Sequence, residues 1–532
     1  MPHRHSAMLR YGAAFLLALA TPLTWSGPAG QPAQTPISAD TLQCAALASE
    51  NFEGLPDAPT RITSAVLTNA PKSALLAASP IKQFCRVLGY VSPQNKFELR
   101  LPLPSQWNGR FNLTPCAGFC GAVEGGACNA SLARGYAAIT GNGGHDTSVN
   151  FDGVWAANSP NLQEDYAWRH NHVITVAGKA ITTKFYGKPI VRSYMTGCSK
   201  GGQAVLMEAQ RFPEDFDGLL PAAPVYDFTG RIIAGAWLAQ AVSGAKGASL
   251  LNEAAAEAVT KSILARCGAQ AGVEDGFVND PASCDWRPEM IACPALDGSS
   301  CLTARQVDAI TRMMSPVVTS RGKVVYPHAV LPGTSTEWGF WFFGIAPGDN
   351  DANHQLSSQF LKYMADPTVR RLADPLTFNF DRDPATLDRA RKLYDATSFD
   401  LRAFKKRGGK MLMWHGLADA GIMATSSAAY YEGVEKLMGG RAQTQDFFRL
   451  FLVPGVQHCA DGPGLTEFDA LTLLENWVEK GQAPDAMIAG RSVNGISERT
   501  RPVYPYPLRA RYSGQGDPKL ASSYVPFDGA RR

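Results

Sequence analysis

The 532-residue chain is longer than one hydrophobic core usually serves, so a catalytic domain carrying a large insertion or a second domain is expected. Its 45% hydrophobic and 18% charged residues exclude disorder, and a formal net charge of +3 with no long basic run argues against a nucleic-acid partner. Eleven cysteines without CxxC pairs argue for disulfides rather than zinc, and because eleven is odd, at least one thiol is free or paired outside the chain.

At the N-terminus Arg4 and Arg10 precede an apolar run from Tyr11 to Leu19, too short for a membrane anchor, followed by small residues and prolines. Residues 1–27 read as an export signal, cleaved after Ala20 or between Ser26 and Gly30, so the mature protein is expected to be secreted or periplasmic and without a membrane anchor. Gly27 to Thr35 reads as a flexible leader. Phe97 to Leu103 predicts a strand, and Trp107 to Arg110 a turn into a second strand, Phe111 to Thr114. Apolar residues at Val173, Ile174, Val176, Ala177, Ala180 and Ile181 predict a helix from His170 to Phe185 that packs on a sheet. A short β-rich run, Pro189 to Met195, is followed by a helical stretch, Gly201 to Phe212.

Beyond about Tyr226 clean strand signals stop until Lys410 to Trp414 and Phe447 to Val453. The economical reading is an α/β-hydrolase core, residues 40–225 and 401–532, interrupted by a lid domain at 226–400, roughly 175 residues. A closing helix is expected from Leu465 to Lys480.

Gly197-Cys198-Ser199-Lys200-Gly201 fits G-x-S-x-G between a predicted strand and a predicted helix, where the glycines let the backbone turn sharply enough to present Ser199. A serine hydroxyl is a poor nucleophile and needs a histidine base and a carboxylate, in the order Ser, Asp, His. Of the four histidines after the elbow, His328 and His354 fall in the insertion, whereas His415 and His458 follow the late strands. Asp419, 39 residues before His458, is the better placed acid. The catalytic residues read from this order are Ser199, Asp419 and His458, with His415 lining the site beside the acid. If Ser199 and His458 touch, Cys198 and Cys459 come within bridging reach.

These residues, with Trp107 to Phe111, Arg192 to Gly202, His415 to Asp419 and Pro454 to Cys459, resemble the tannase and feruloyl esterase family over nearly all of the mature chain. The resemblance implies a disulfide Cys198–Cys459 and an oxyanion hole built from the backbone N–H groups of Gly118 and Lys200. It also implies the pairs Cys44–Cys85, Cys267–Cys284 and Cys293–Cys301, leaving Cys116, Cys120 and Cys128 unassigned. The family implies a structural Ca²⁺ in the lid loop after Cys267, but Gly268 and Ala271 stand where carboxylates are expected. Asp275 and the carbonyls of Val273 and Phe277 are the remaining ligands, too few for firm binding of a hard cation, so weak or absent calcium binding is expected and no cofactor is required.

The aromatic run Trp338 to Phe343 offers surface to stack an aromatic acyl group, although most of its rings are expected to build lid core. No arginine lies between Arg321 and Arg370 to clamp a substrate carboxylate. The expected substrate is therefore a small ester of a phenolic, hydroxycinnamic or gallic acid, with terephthalate or other aromatic monoesters as the alternative. A peptidase and a non-catalytic cholinesterase-like binding module are the other classes; the latter typically lacks a triad member, and none is missing here.

Overall fold

In the computed structural model, residues 38–244, 248–294, 301–344, 351–366 and 373–528 are described, so the expected export signal and most of the leader lie outside them. The strands in chain order are β1 (Thr60–Asn69), β2 (Gln83–Val91), β3 (Asn95–Pro102), β4 (Arg110–Leu113), β5 (Ala137–Gly141), β6 (Arg192–Cys198) and β7 (Gly218–Ala222). After them come β8 (Val317–Val318), β9 (Val324–Tyr326), β10 (Lys410–Gly416) and β11 (Phe448–Val453). Nine of these form one sheet in the order β1-β2-β3-β5-β4-β6-β7-β10-β11, while β8 and β9 form a separate hairpin. Pairings from β1 to β5 across β2 and β3 are antiparallel, and every pairing from β5 to β11 is parallel. A mostly parallel sheet with helices on its faces is compatible with the expected α/β-hydrolase class.

Parallel strands are buried on both faces, and consecutive side chains point opposite ways. In β10, Met411 and Met413 join one apolar cluster and Leu412 another. The first cluster receives Val173, Ile174, Ala177 and Ile181 from the helix His170–Tyr186; the second receives Leu474 from the helix Ala470–Lys480. Each of these valine, isoleucine and leucine side chains contributes roughly 1.5–3 kcal/mol when fully buried.

Two expected elements are corrected. The strand predicted from Pro189 begins at Arg192 and runs on to Cys198, delivering the chain directly to Ser199. The helix predicted from Leu465 begins only at Ala470, capped by the Asp469 side chain. Backbone bonds from Leu465 N–H to the Pro454 carbonyl, and between Glu467 and Gly490 in both directions, hold residues 465–467 against the loop after β11 and the strand Met487–Val493. Past that helix, β12 (Met487–Val493) pairs with β13 (Ile496–Val503), and β14 (Arg509–Tyr512) with β15 (Tyr524–Phe527).

Between β7 and β10 the chain leaves the sheet. It forms the helices Phe228–Val242, Glu253–Cys267, Ala304–Met313, Ala352–Gln359 and Asp388–Tyr394, with β8–β9 beside them. Its apolar side chains mix with those of the sheet region. One cluster combines Phe119 and Tyr166 with Phe228 and Phe360, and another combines Leu238, Trp338 and Trp341 with Ala420 and Met423.

Candidate active site

β6 ends at Cys198, the helix Lys200–Arg211 begins at Lys200, and Ser199 alone makes the turn, with φ 62° and ψ −122°. That conformation is unfavourable for a side-chain-bearing residue by on the order of 1–3 kcal/mol. The Ser199 N–H donates to the Ala222 carbonyl at 3.0 Å, which ties the turn to the end of β7. A Cβ at Gly197 would stand 2.6 Å from the Gly201 carbonyl oxygen, so the tight turn requires glycine there.

The next two parallel strands supply the other candidates. Past β10, Asp419 is buried, and its Oδ1 accepts the N–H groups of Gly421 and Ile422, both at 2.8 Å. Its Oδ2 lies 2.8 Å from His458 Nδ1 and 3.1 Å from His415 Nε2. Because a carboxylate accepts only, His458 carries its proton on Nδ1 and leaves Nε2 as the free base. Burial opposes charge on both partners, but their mutual attraction outweighs it. Asp419 is held well below the usual carboxylate range, helped by His415, and His458 is raised above its ordinary value, with Glu337 adding to the effect.

His415 is fully buried, and its Nε2 faces two acceptors, Asp419 Oδ2 and the Ile422 carbonyl at 2.7 Å, while its Nδ1 faces Ser427 Oγ at 2.7 Å. With the proton on Nε2 it acts as a donor to Asp419, beside the acid as expected. Beyond β11 the histidine loop is laced to the acid loop by Leu417 N–H to the Val453 carbonyl at 2.9 Å and Ala418 N–H to the Val456 carbonyl at 2.8 Å. His328 is buried elsewhere, against Tyr326.

A disulfide joins Cys198 to Cys459 across 261 residues, so the residues beside Ser199 and His458 are covalently linked with Cα atoms 5.8 Å apart. The pairs Cys44–Cys85, Cys267–Cys284 and Cys293–Cys301 are present too. Of the three cysteines left unassigned by sequence, Cys116 pairs with Cys120 and Cys128 is free and buried.

The Cys116–Cys120 bridge brackets Gly118, whose φ is +59° and whose carbonyl accepts the Tyr166 hydroxyl at 2.8 Å. β4 and β6 are neighbours in the sheet, so the loop after β4 lies beside the elbow; a Cβ at Gly201 would sit 3.2 Å from Pro115. Lys200 gives the helix its first N–H, a group with no intrahelical partner. Its side chain is buried, with the amine 4.5 Å from the Tyr166 ring centroid, and burial pushes its pKa down to about 7.

The segment between β7 and β10 reaches the same place. Trp341 meets His458 edge to face with ring centroids 5.4 Å apart, and Glu337 accepts the N–H groups of both Ala420 and His458. Trp338, Trp341 and Phe342 are buried, whereas Phe340 is 41% exposed. Glu337 escaped the sequence reading because an isolated glutamate before a tryptophan has no local signature; only the fold brings it to loops more than 80 residues away.

In the loop implied for calcium, the one remaining candidate carboxylate, Asp275, is held by arginines. Asp275 Oδ2 and Oδ1 lie 2.5 and 2.7 Å from Arg501 Nη1 and Nη2, and Asn279 Nδ2 donates to Oδ2 at 2.6 Å. Arg499 stands 3.5 Å from the same carboxylate and donates to the Asp275 carbonyl at 2.7 Å. Both oxygens of Asp275 are thus engaged by a buried guanidinium from β13, in the loop where the family resemblance implies a metal.

A sequence model of the family described as tannase and feruloyl esterase matches residues 81–526. The mono(2-hydroxyethyl) terephthalate hydrolase of Piscinibacter sakaiensis is 33% identical, the alignment covering 92% of each chain. A probable feruloyl esterase B-1 of Aspergillus fumigatus is 32% identical over 84% of this chain and 87% of its own. Among solved structures, feruloyl esterase B from Aspergillus oryzae superposes with a TM-score of 0.80 at 26% identity, covering 92% of this chain and all of the other. The protein is a carboxylic-ester hydrolase. It belongs to the tannase and feruloyl esterase family.

Proposed function

We propose that this protein is an exported serine esterase of the α/β-hydrolase type that cleaves esters of aromatic acids through an acyl-enzyme. The observation carrying this reading is the 2.8 Å contact between Asp419 and His458 Nδ1, with a disulfide binding the histidine loop to the strained Ser199 turn. In the proposed cycle His458 Nε2 takes the Ser199 proton as Oγ attacks the ester carbonyl. The backbone N–H groups of Lys200 and Gly118 stabilise the oxyanion, an arrangement in which losing one donor typically costs about 10²- to 10³-fold. The alcohol leaves with the proton from His458, and water activated by the same imidazole releases the acid. Asp419 stays ionised throughout and steadies the imidazolium.

Residues 226–400 act as the lid in this reading, with the exposed Phe340 supplying flat apolar surface for the acyl ring. Phenolic or hydroxycinnamic esters are favoured. The similarity to the terephthalate monoester hydrolase keeps that substrate as the second reading. Against it, the segment between Arg321 and Arg370 contains no arginine, and Arg231, 5.7 Å from the Trp341 ring, already donates to Gly421 and Asn353. Export is supported by the apolar N-terminal run and by five disulfides. Among the described residues, no helix is long and apolar enough to cross a membrane.

Ser199→Ala tests the nucleophile: turnover of methyl ferulate should fall by at least about 10³-fold while the circular dichroism spectrum is unchanged. Retained turnover would remove Ser199 from the mechanism. Comparing methyl ferulate, methyl gallate, mono(2-hydroxyethyl) terephthalate and a peptide anilide assigns the acyl group.

A further inference from the structure

Glu337 ends the short turn Ser335–Glu337 between β7 and β10, and its side chain bonds to both late loops at once. Its Oε2 accepts the Ala420 N–H at 2.8 Å, and its Oε1 accepts the His458 N–H at 3.1 Å. Ala420 follows Asp419 directly, and the second donor belongs to His458 itself. The carboxylate therefore spans the backbone on either side of the Asp419–His458 hydrogen bond. Beside it, Gln457 Nε2 donates to Thr336 Oγ1 at 2.9 Å, so two consecutive residues of the segment grip two consecutive residues of the histidine loop.

This placement is electrostatically unfavourable. Burial, with the nearby charge of Asp419, pushes the Glu337 carboxyl up to about 7. A neutral side chain would avoid that repulsion, but no uncharged residue of this size offers two oxygen acceptors to two backbone donors. A glutamine here accepts one N–H and turns an amide donor toward the other. The carboxylate is what the two N–H groups require.

We infer that Glu337 is a positioning residue for ester hydrolysis, holding the acid loop and the histidine loop in register from the inserted segment. This rests on the assignment of Asp419 and His458 as acid and base. Releasing either N–H lets the imidazole move relative to the Ser199 hydroxyl, and a displacement of about 1 Å costs on the order of 10²-fold in rate. The inserted segment then does more than cover the acyl group: it sets the aim of the base.

The test compares full-length Glu337→Ala and Glu337→Gln with the unmodified chain and with Ser199→Ala. The readouts are kcat and KM on methyl ferulate, normalised to sites labelled by a fluorophosphonate, and the low-field ¹H signal of the His458 Nδ1 proton. Glu337→Ala should lower kcat by about 10- to 100-fold with KM changed less than about threefold, and should move or broaden the His458 signal. Glu337→Gln, which keeps one acceptor, should fall between the two. A lower melting temperature with kcat per labelled site and the His458 signal both unchanged would overturn the inference, reducing Glu337 to a structural role. If Glu337→Ala fails to fold, Glu337→Gln decides, and an unmodified kcat there overturns it. Failure of the triad reading shows separately, as turnover retained by Ser199→Ala.

Discussion

Two long-range ties hold distant parts of this chain together, and they are built from opposite chemistries. One is covalent, Cys198–Cys459, and joins the Ser199 turn to the His458 loop. The other is ionic, Asp275–Arg501, and joins the inserted segment to β13. The first lies beside the proposed nucleophile and base, so its geometry and the proposed chemistry are inseparable. The second is remote from Ser199 in sequence and contains no group the reaction uses, so it bears on stability alone. A single sequence announces the first, because each cysteine adjoins a residue that carries chemistry, and conceals the second, because an arginine in a polar ribbon carries no mark of its partner.

Arg501→Met should separate them most widely. It leaves the buried Asp275 carboxylate with only Asn279 and Arg499, the latter 3.5 Å away. The typical cost of losing one partner of a buried pair, about 3–5 kcal/mol, is the upper bound of the expected loss. Urea unfolding should show that loss while kcat per active site stays within about twofold. A matching fall in kcat would mean that the ionic tie also governs the site. Cys198→Ser with Cys459→Ser should cost about 2–5 kcal/mol and also depress kcat, since the histidine loop then depends on hydrogen bonds alone. Full activity in that double variant would leave the disulfide a purely structural role.

The pH profile gives a smaller effect. His458 is raised above its ordinary 6.5, and it must be neutral to accept the serine proton. Activity should therefore fall as pH drops through a midpoint above 6.5, and the cysteine double variant should bring that midpoint back toward 6.5. The smallest expected change is with EDTA: because a guanidinium already occupies Asp275, chelation should leave the melting temperature within about 1 °C, whereas a bound metal would add several degrees. Stoichiometric calcium surviving dialysis would contradict this.

The parts of the site legible in sequence are those written locally. Strand, serine turn and helix occupy twenty consecutive residues from Arg192 to Arg211, and Asp419 and His458 each follow a strand ending. The sequence predicts no strand at β1, β2, β5 or β7, and for the last two the reason is identifiable. Ala137-Ala138-Ile139-Thr140-Gly141 is buried on both faces and shows no alternation, and β7 contains Pro221, a residue that argues against a central strand. Pro221 is tolerated one residue before the strand ends, opposite Gly197. Glu337 and Arg501 could not be read at all, since their partners lie 83 to 226 residues away and no spacing rule connects them.

The odd cysteine has a consequence for assembly. Ten sulfurs close internally, and the eleventh, Cys128, is fully buried, its thiol pushed up to about 12 by burial. A protonated, inaccessible thiol neither attacks a neighbouring bridge nor reaches another molecule. An uneven cysteine count ordinarily invites the suspicion of a covalent dimer; here ten cysteines are paired within one polypeptide and the eleventh is buried, which leaves no exposed thiol to bridge two copies.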